Sequence, residues 1–195
     1  MTAYDRGTFS QSRTIMLQGD VDDSMVDTLG VHLPALNAIA PGKPVLILLN
    51  SYGGCLTDGV AILDMIHASP APVYVVGAGA CYSAAAMVLA LAPIGRRGVT
   101  AHTSLMFHAI KVDAGGDLVK NIVGASRFLA ELDRKLNEEL CKQSKFTAKK
   151  LQAQMDAGDE IWLTARQAKA KGVVDYIWTP ESWAGILADI RKGRK

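Results

Sequence analysis

The chain has little net charge: 21 Lys and Arg stand against 19 Asp and Glu, for a formal +2. A nucleic-acid surface needs a stronger basic excess, so no nucleic-acid partner is expected. The ending Arg191-Lys192-Gly193-Arg194-Lys195 reads as a solvated tail within a basic segment over 182–195. Long hydrophobic runs are missing too. The longest apolar stretch, Ala84 to Ile94, is too short to span a bilayer. Met1 to Arg13 is polar and lacks an apolar h-region, so no signal peptide and no membrane association are expected. Cysteine is scarce: Cys55, Cys81 and Cys141 are an odd number without metal-ligand spacing, which fits reduced thiols in a cytoplasmic protein. No clustered His/Cys/Asp/Glu set has ligand spacing, so neither a metal nor a cofactor is expected. There is no Walker A pattern, so any use of ATP must come from a partner. No linker or clear internal repeat interrupts the 195 residues, and one domain over 1–195 is expected, with 1–12 a short flexible segment.

What is present is a globular composition, 49% apolar and 21% charged, at a length that buries a real core. Arg13 to Leu17 reads as a strand. Asp22-Asp23-Ser24 caps a helix to about Ala40, with Met25, Val26, Leu29, Leu33 and Leu36 at helical spacing and Pro34 as a kink or early stop. Val45 to Leu49 is a strand buried on both faces, followed by a helix from about Thr57 to Ala68. Val73 to Val76 is a second buried strand, and Ser83 to Leu91 an Ala-rich helix. Short strands follow at Gly98–Ala101 and Ser104–Phe107. A long amphipathic helix covers about Asp117 to Ser144, with apolar Leu118, Ile122, Val123, Phe128, Leu129, Leu132 and Leu136. Thr147 caps a helix to about Ala157, Thr164 to Lys171 is another, and Val173 to Ile177 is a last strand. Such alternation predicts an α/β fold with a mostly parallel sheet covered by helices.

The chemistry concentrates between Asn50 and Ile110. Gly53-Gly54, Ser83 and His108 each stand just after an apolar run, where α/β-type folds place reactive groups. Serine needs a base to take its proton, and histidine is the commonest one. Ser83 opens a helix, where free N–H groups and the dipole favour developing negative charge. The competing reading is an ordinary N-cap serine. The surroundings are not the Gly-x-Ser-x-Gly elbow, because Cys81 and Ala85 occupy the glycine positions. Cys81 is a rival nucleophile, or a buried core thiol. His67 and His102 are fallback bases. Adjacent glycines permit positive φ and close backbone approach, though a plain turn reads the same way. Together these residues name acyl transfer to serine as the reaction class.

The same elements resemble the Clp-type, self-compartmentalised serine protease family, ClpP and its relatives. Arg13-Thr14-Ile15-Met16-Leu17 and Val21-Asp22-Asp23 are similar to that family's opening strand and turn. Leu49-Asn50-Ser51-Tyr52-Gly53-Gly54 is similar to its oxyanion loop, with Tyr52 where proline is usual. Gly79-Ala80-Cys81-Tyr82-Ser83-Ala84-Ala85 resembles its nucleophile segment, Leu105-Met106-Phe107-His108 its histidine segment, and Gly172-Val173-Val174-Asp175 its closing motif. The intervals, 29 residues from Gly54 to Ser83 and 25 from Ser83 to His108, agree with the family pattern. The match covers about residues 13 to 178.

The resemblance implies a crotonase-like fold of repeated ββα units with a protruding handle helix beginning near Asp117. It makes Ser83 the nucleophile and His108 the general base, and assigns the oxyanion hole to the N–H groups of Gly54 and Ala84. It lays the substrate as an added strand between Gly53-Gly54-Cys55-Leu56 and Ile110-Lys111. The register of Ile161-Trp162-Leu163-Thr164-Ala165 puts Glu160 at the acid position, with Asp159 the close alternative and Asp156 a distant one. Asp159 replaces the arginine usual beside that acid. The implied protein is an ATP-dependent endopeptidase subunit acting on unfolded polypeptides inside a homo-oligomeric chamber. That chamber is a heptameric ring or stacked rings, fed by an AAA+ unfoldase that Tyr4 and Phe9 could meet. Three other readings compete: a catalytically weak structural or regulatory subunit of a mixed ring, a phage prohead-type maturation protease, and a crotonase-type enzyme acting on an acyl-CoA.

Overall fold

The computed structural model describes residues 13–110, 119–179 and 181. β1 (Thr14–Gln18), β2 (Val45–Ser51), β3 (Val73–Tyr82), β4 (Arg97–Thr100) and β7 (Tyr176–Trp178) lie side by side in that order, all parallel. Between them run α1 (Asp23–Ile39), α2 (Leu56–Ala68) and α3 (Ala84–Leu91). The chain then forms β5 (Ser104–Phe107), α4 (Val119–Gln143), α5 (Ala148–Asp156), β6 (Ile161–Thr164) and α6 (Ala165–Ala170). The result is a mixed α/β fold with a largely parallel sheet.

Strand periodicity explains why β2 and β3 are apolar throughout. Val45, Ile47, Leu49, Val73 and Val75 enter the main core with α1, α2 and α3. The alternate residues Leu46 and Val76 join Trp178 in a second cluster on the other face, with Leu48, Tyr74 and Tyr176 packed against it. α1 begins where Asp22 accepts the Met25 N–H at 3.1 Å. It continues through Pro34 to Ile39, because Leu33 and Leu36 on either side are buried and hold that turn against the core. Arg13 fastens the end of α1 to the entry of β2: its guanidinium donates to the carbonyls of Leu36, Lys43 and Pro44.

Two differences from the sequence expectations matter for the site. β3 does not stop at Val76 but runs ten residues to Tyr82. Its first half pairs with β4 and its last three residues, Ala80 to Tyr82, pair with Ser104 to Met106 of β5. Long-range pairing thus extends a strand through a Gly-Ala-Gly-Ala stretch that carries no apolar alternation. Ile161–Thr164, read from sequence only as a motif, is a strand antiparallel to β5. Val173 and Val174 are buried but precede β7, which starts at Tyr176. Among the described residues no helix is long and apolar enough to cross a membrane.

Candidate active site

Ser83 stands at the junction of β3 and α3 with φ 53° and ψ −123°. A non-glycine residue there carries strain of about 1–3 kcal/mol and persists only where its surroundings hold it. Three contacts do so. The Ser83 N–H donates to Met106 O of β5 at 2.7 Å, and its carbonyl accepts the Met87 N–H at 3.1 Å. The Gly53 backbone presses on it from the side: a Cβ on Gly53 would lie 2.7 Å from Ser83 Cβ and 2.8 Å from Tyr82 O. Ser83 does occupy the N-cap position, but its hydroxyl makes no capping bond. The ordinary N-cap reading therefore does not account for this serine.

The Gly-Gly pair forms the adjoining wall. Val21 N–H donates to Gly53 O at 2.9 Å and Cys55 N–H donates to Val21 O at 2.7 Å, a one-residue parallel bridge centred on Gly54. Such a bridge uses the amides flanking Gly54 and leaves its own N–H on the opposite side, toward the cleft that Gly54 lines. Ala84 N–H belongs to the first turn of α3 and has no intrahelical acceptor. Gly54 and Ala84, to whose amides the resemblance assigns an oxyanion hole, thus line the same cleft as Ser83. Gly54 has φ +149°, and a Cβ on it would strike the Val21 carbonyl. Gly54→Ala is expected to lower catalytic turnover by about 100-fold, the scale of one lost oxyanion donor. Equal turnover in wild type and variant would exclude Gly54 from that role.

The cleft encloses about 400 Å³. Cys55 and Leu56 continue its Gly54 wall, while His108 and Ile110 lie beyond buried Phe107 at the end of β5. His108 Nδ1 is buried and has no hydrogen-bond partner among the described residues. A face of α4, through Ala125, Leu129 and Asp133, also lines the cleft, and α4 packs on α3. Burial pushes the Asp133 carboxyl above its ordinary value, against the opposing pull of the Asn137 hydrogen bond and of His108.

The remaining expected residues lie elsewhere. Lys111 is outside the described residues. Glu160 is exposed and its carboxylate accepts the Trp162 Nε1–H at 3.1 Å. Asp159 N–H donates to Gln154 O, and Asp156 accepts from Gln152 Nε2. His67 Nε2 hydrogen-bonds Leu91 O, at the end of α3 opposite Ser83, and His102 is exposed. Cys81 is fully buried, and burial pushes its thiol up to about 12, so it is a core thiol and a poor nucleophile. Asp133 escaped the sequence reading. Its signal was the spacing Ala125, Leu129, Asp133, Asn137, which puts two polar residues on one helix face.

Comparison with known proteins identifies the family. The Clp protease family model matches residues 2–181. The ATP-dependent Clp protease proteolytic subunit 2 of Corynebacterium efficiens is 29% identical over 181 residues, covering 91% of this chain and 89% of that protein. Proteolytic subunit 1 of Corynebacterium jeikeium is 29% identical, over 87% of this chain and 88% of its own. Proteolytic subunit 2 of Nocardia farcinica is 30% identical over 168 residues, 86% of this chain and 81% of its own. The chain belongs to the Clp protease family.

Proposed function

We propose that this protein is a Clp-type serine endopeptidase subunit that cleaves unfolded polypeptides inside an oligomeric chamber. The observation that carries the reading is Ser83, held at positive φ with its hydroxyl outside any cap, in one cleft with His108. Ser83 Oγ attacks the peptide carbonyl while His108 takes its proton and passes it to the leaving amine. The amides of Gly54 and Ala84 receive the oxyanion. Water then releases the acyl group by the same route in reverse. The substrate lies as a strand along Gly53-Gly54-Cys55-Leu56, with Ile110 and Lys111 on its other side. Backbone pairing there recognises an extended chain with little sequence preference. Register nominates Glu160 for the acid, with Asp159 its alternative.

The relatives' names carry "ATP-dependent", which supports a partner unfoldase for this chain as well. Phe128 at 62% exposure and Val123 at 51% lie on α4 and support burial of this handle against further copies, in a heptameric ring or stacked rings. A structural or regulatory subunit of a mixed ring is the second reading, favoured by one observation: among the described residues His108 Nδ1 has no partner while Glu160 is engaged by Trp162.

Fluorophosphonate labelling of the assembled protein, with the adduct located by mass spectrometry and the oligomer size read on the same sample, separates the two. An adduct on Ser83 is expected. A well-formed ring that takes no label would favour the structural subunit.

A further inference from the structure

Strand addition fixes the main chain of a substrate and leaves preference among side chains to the pockets beside it. On the peptidase reading, the residue whose carbonyl reaches Ser83 places its side chain against the same cleft. Much of that cleft is apolar, lined by Met87 of α3, Phe107 of β5, and Ala125 and Leu129 of α4. An acid interrupts this wall. Asp133, one turn beyond Leu129 on α4, is the one carboxylate among the described lining residues. Resting on the peptidase reading above, we infer that Asp133 makes the cleft selective for a basic residue, lysine or arginine, on the acyl side of the scissile bond.

The surroundings of Asp133 leave room for a cation. Its neighbours Arg134 and Lys135 are exposed and pair with Glu138 and Glu131, and Asp133 makes no ion pair among the described residues. Asn137 Nδ2 donates to Asp133 Oδ2 at 3.1 Å, which steers the carboxylate and leaves Oδ1 for a second donor. Asn137 is only 8% exposed, and its own Oδ1 has no partner among the described residues. The oxygens of this pair therefore outnumber the N–H groups that serve them. Lysine and arginine end in groups that are all donor and no acceptor, which is what the pair lacks. Burial pushes the Asp133 carboxyl above its ordinary value, against the pull of Asn137 and His108, and a cation beside it favours the ionised form. The apolar stems of lysine and arginine bury along Met87 and Leu129 while the charged end reaches the carboxylate. A leucine or methionine fills the apolar part and leaves Asp133 unpaired, and a glutamate meets a like charge.

The test uses full-length assembled wild type, Asp133→Asn and Asp133→Lys, with Ser83→Ala as the blank. The substrates are peptidyl-aminocoumarins that differ only in the residue before the coumarin: arginine, lysine, leucine, methionine or glutamate. The coumarin is the leaving group, so any preference belongs to the acyl side. Wild type is expected to cleave the arginine and lysine substrates with kcat/KM about 10-fold or more above leucine and methionine. In Asp133→Asn the ratio of arginine to leucine falls to about 1–3, and in Asp133→Lys glutamate overtakes arginine. Each ratio is taken within one variant, so a loss of assembly or of total activity does not mimic it. A wild type that prefers leucine or methionine, or a ratio that Asp133→Asn leaves unchanged, overturns the inference and leaves the peptidase reading intact. Wild type inert on every substrate, or hydrolysis that survives in Ser83→Ala, fails the peptidase reading, and binding then decides. Labelled peptides ending in arginine or leucine are titrated by anisotropy into Ser83→Ala with and without Asp133→Asn. Binding of the arginine peptide about 10-fold tighter, lost with Asp133→Asn, supports the pocket, and equal binding or none overturns it.

Discussion

Ser83→Ala is expected to lower peptide hydrolysis by about four orders of magnitude or more while leaving stability close to that of wild type. Ser83→Gly is expected to be equally inactive yet more stable, by about 1 kcal/mol. The first effect follows from removing the proposed nucleophile. The second follows from the backbone. At φ 53° and ψ −123° any L side chain is strained, and alanine keeps the offending Cβ. Glycine relieves about 1–3 kcal/mol of that strain, less the roughly 0.4–1 kcal/mol by which it loosens the unfolded chain. On the proposed peptidase reading the strain serves the chemistry, because this geometry leaves the hydroxyl without a capping bond at the cleft that Gly54 also lines. Hydrolysis assays and denaturant unfolding at matched protomer concentration measure both effects. A Ser83→Gly protein no more stable than Ser83→Ala would show that the junction is relaxed.

That Gly54, Ser83 and His108 border one cleft was legible because each follows an apolar run, and buried strands that end at a loop leave the next residue at the rim of the sheet. Phe107 is 1% exposed and His108 lines the cleft, as the run Leu105-Met106-Phe107 implies. What sequence periodicity missed depends on pairing between distant segments. Gly77 to Ala80 have almost no side chains to alternate, so β3 beyond Val76 exists through its pairing with β2, β4 and β5, and β5 in turn supports β6. Motif register can place Glu160 along the chain but not aim its side chain, and Trp162 two residues away captures it. The long helix was read by its apolar residues. Asp133 and Asn137 were hidden among them, although a polar pair on an inward face is the more informative feature.

The other large effect concerns the ion pair that locks the last strand to the sheet. Arg97→Met and Asp175→Asn are each expected to destabilise the fold by about 3 kcal/mol, the scale for removing one partner of a buried pair. The side chains are 3% and 19% exposed and meet at 2.8 Å. Arg97 also donates to Ala90 O at the end of α3 and to Gly172 O, while Asp175 accepts the N–H groups of Gly95 and Arg97. The pair thus ties α3, β4 and the approach to β7 together, which gives the closing Gly172-Val173-Val174-Asp175 motif a structural task far from the chemistry. Burial pushes the Asp175 carboxyl up, but the bonds from Arg97 and the two amides outweigh it and hold it below its ordinary value. A carboxyl whose folded value is depressed contributes stability that is fully present above the unfolded value, about 3.9, and is lost as pH falls through the folded one. Wild type should therefore lose stability below about pH 4, and Asp175→Asn should show a shallower acid loss from its lower starting point. Urea unfolding of wild type and both variants across pH 3–7 measures the slopes. Parallel acid slopes in wild type and Asp175→Asn would assign the acid sensitivity to other carboxylates, and a cost under about 1 kcal/mol in either variant would reduce the pair to a surface contact.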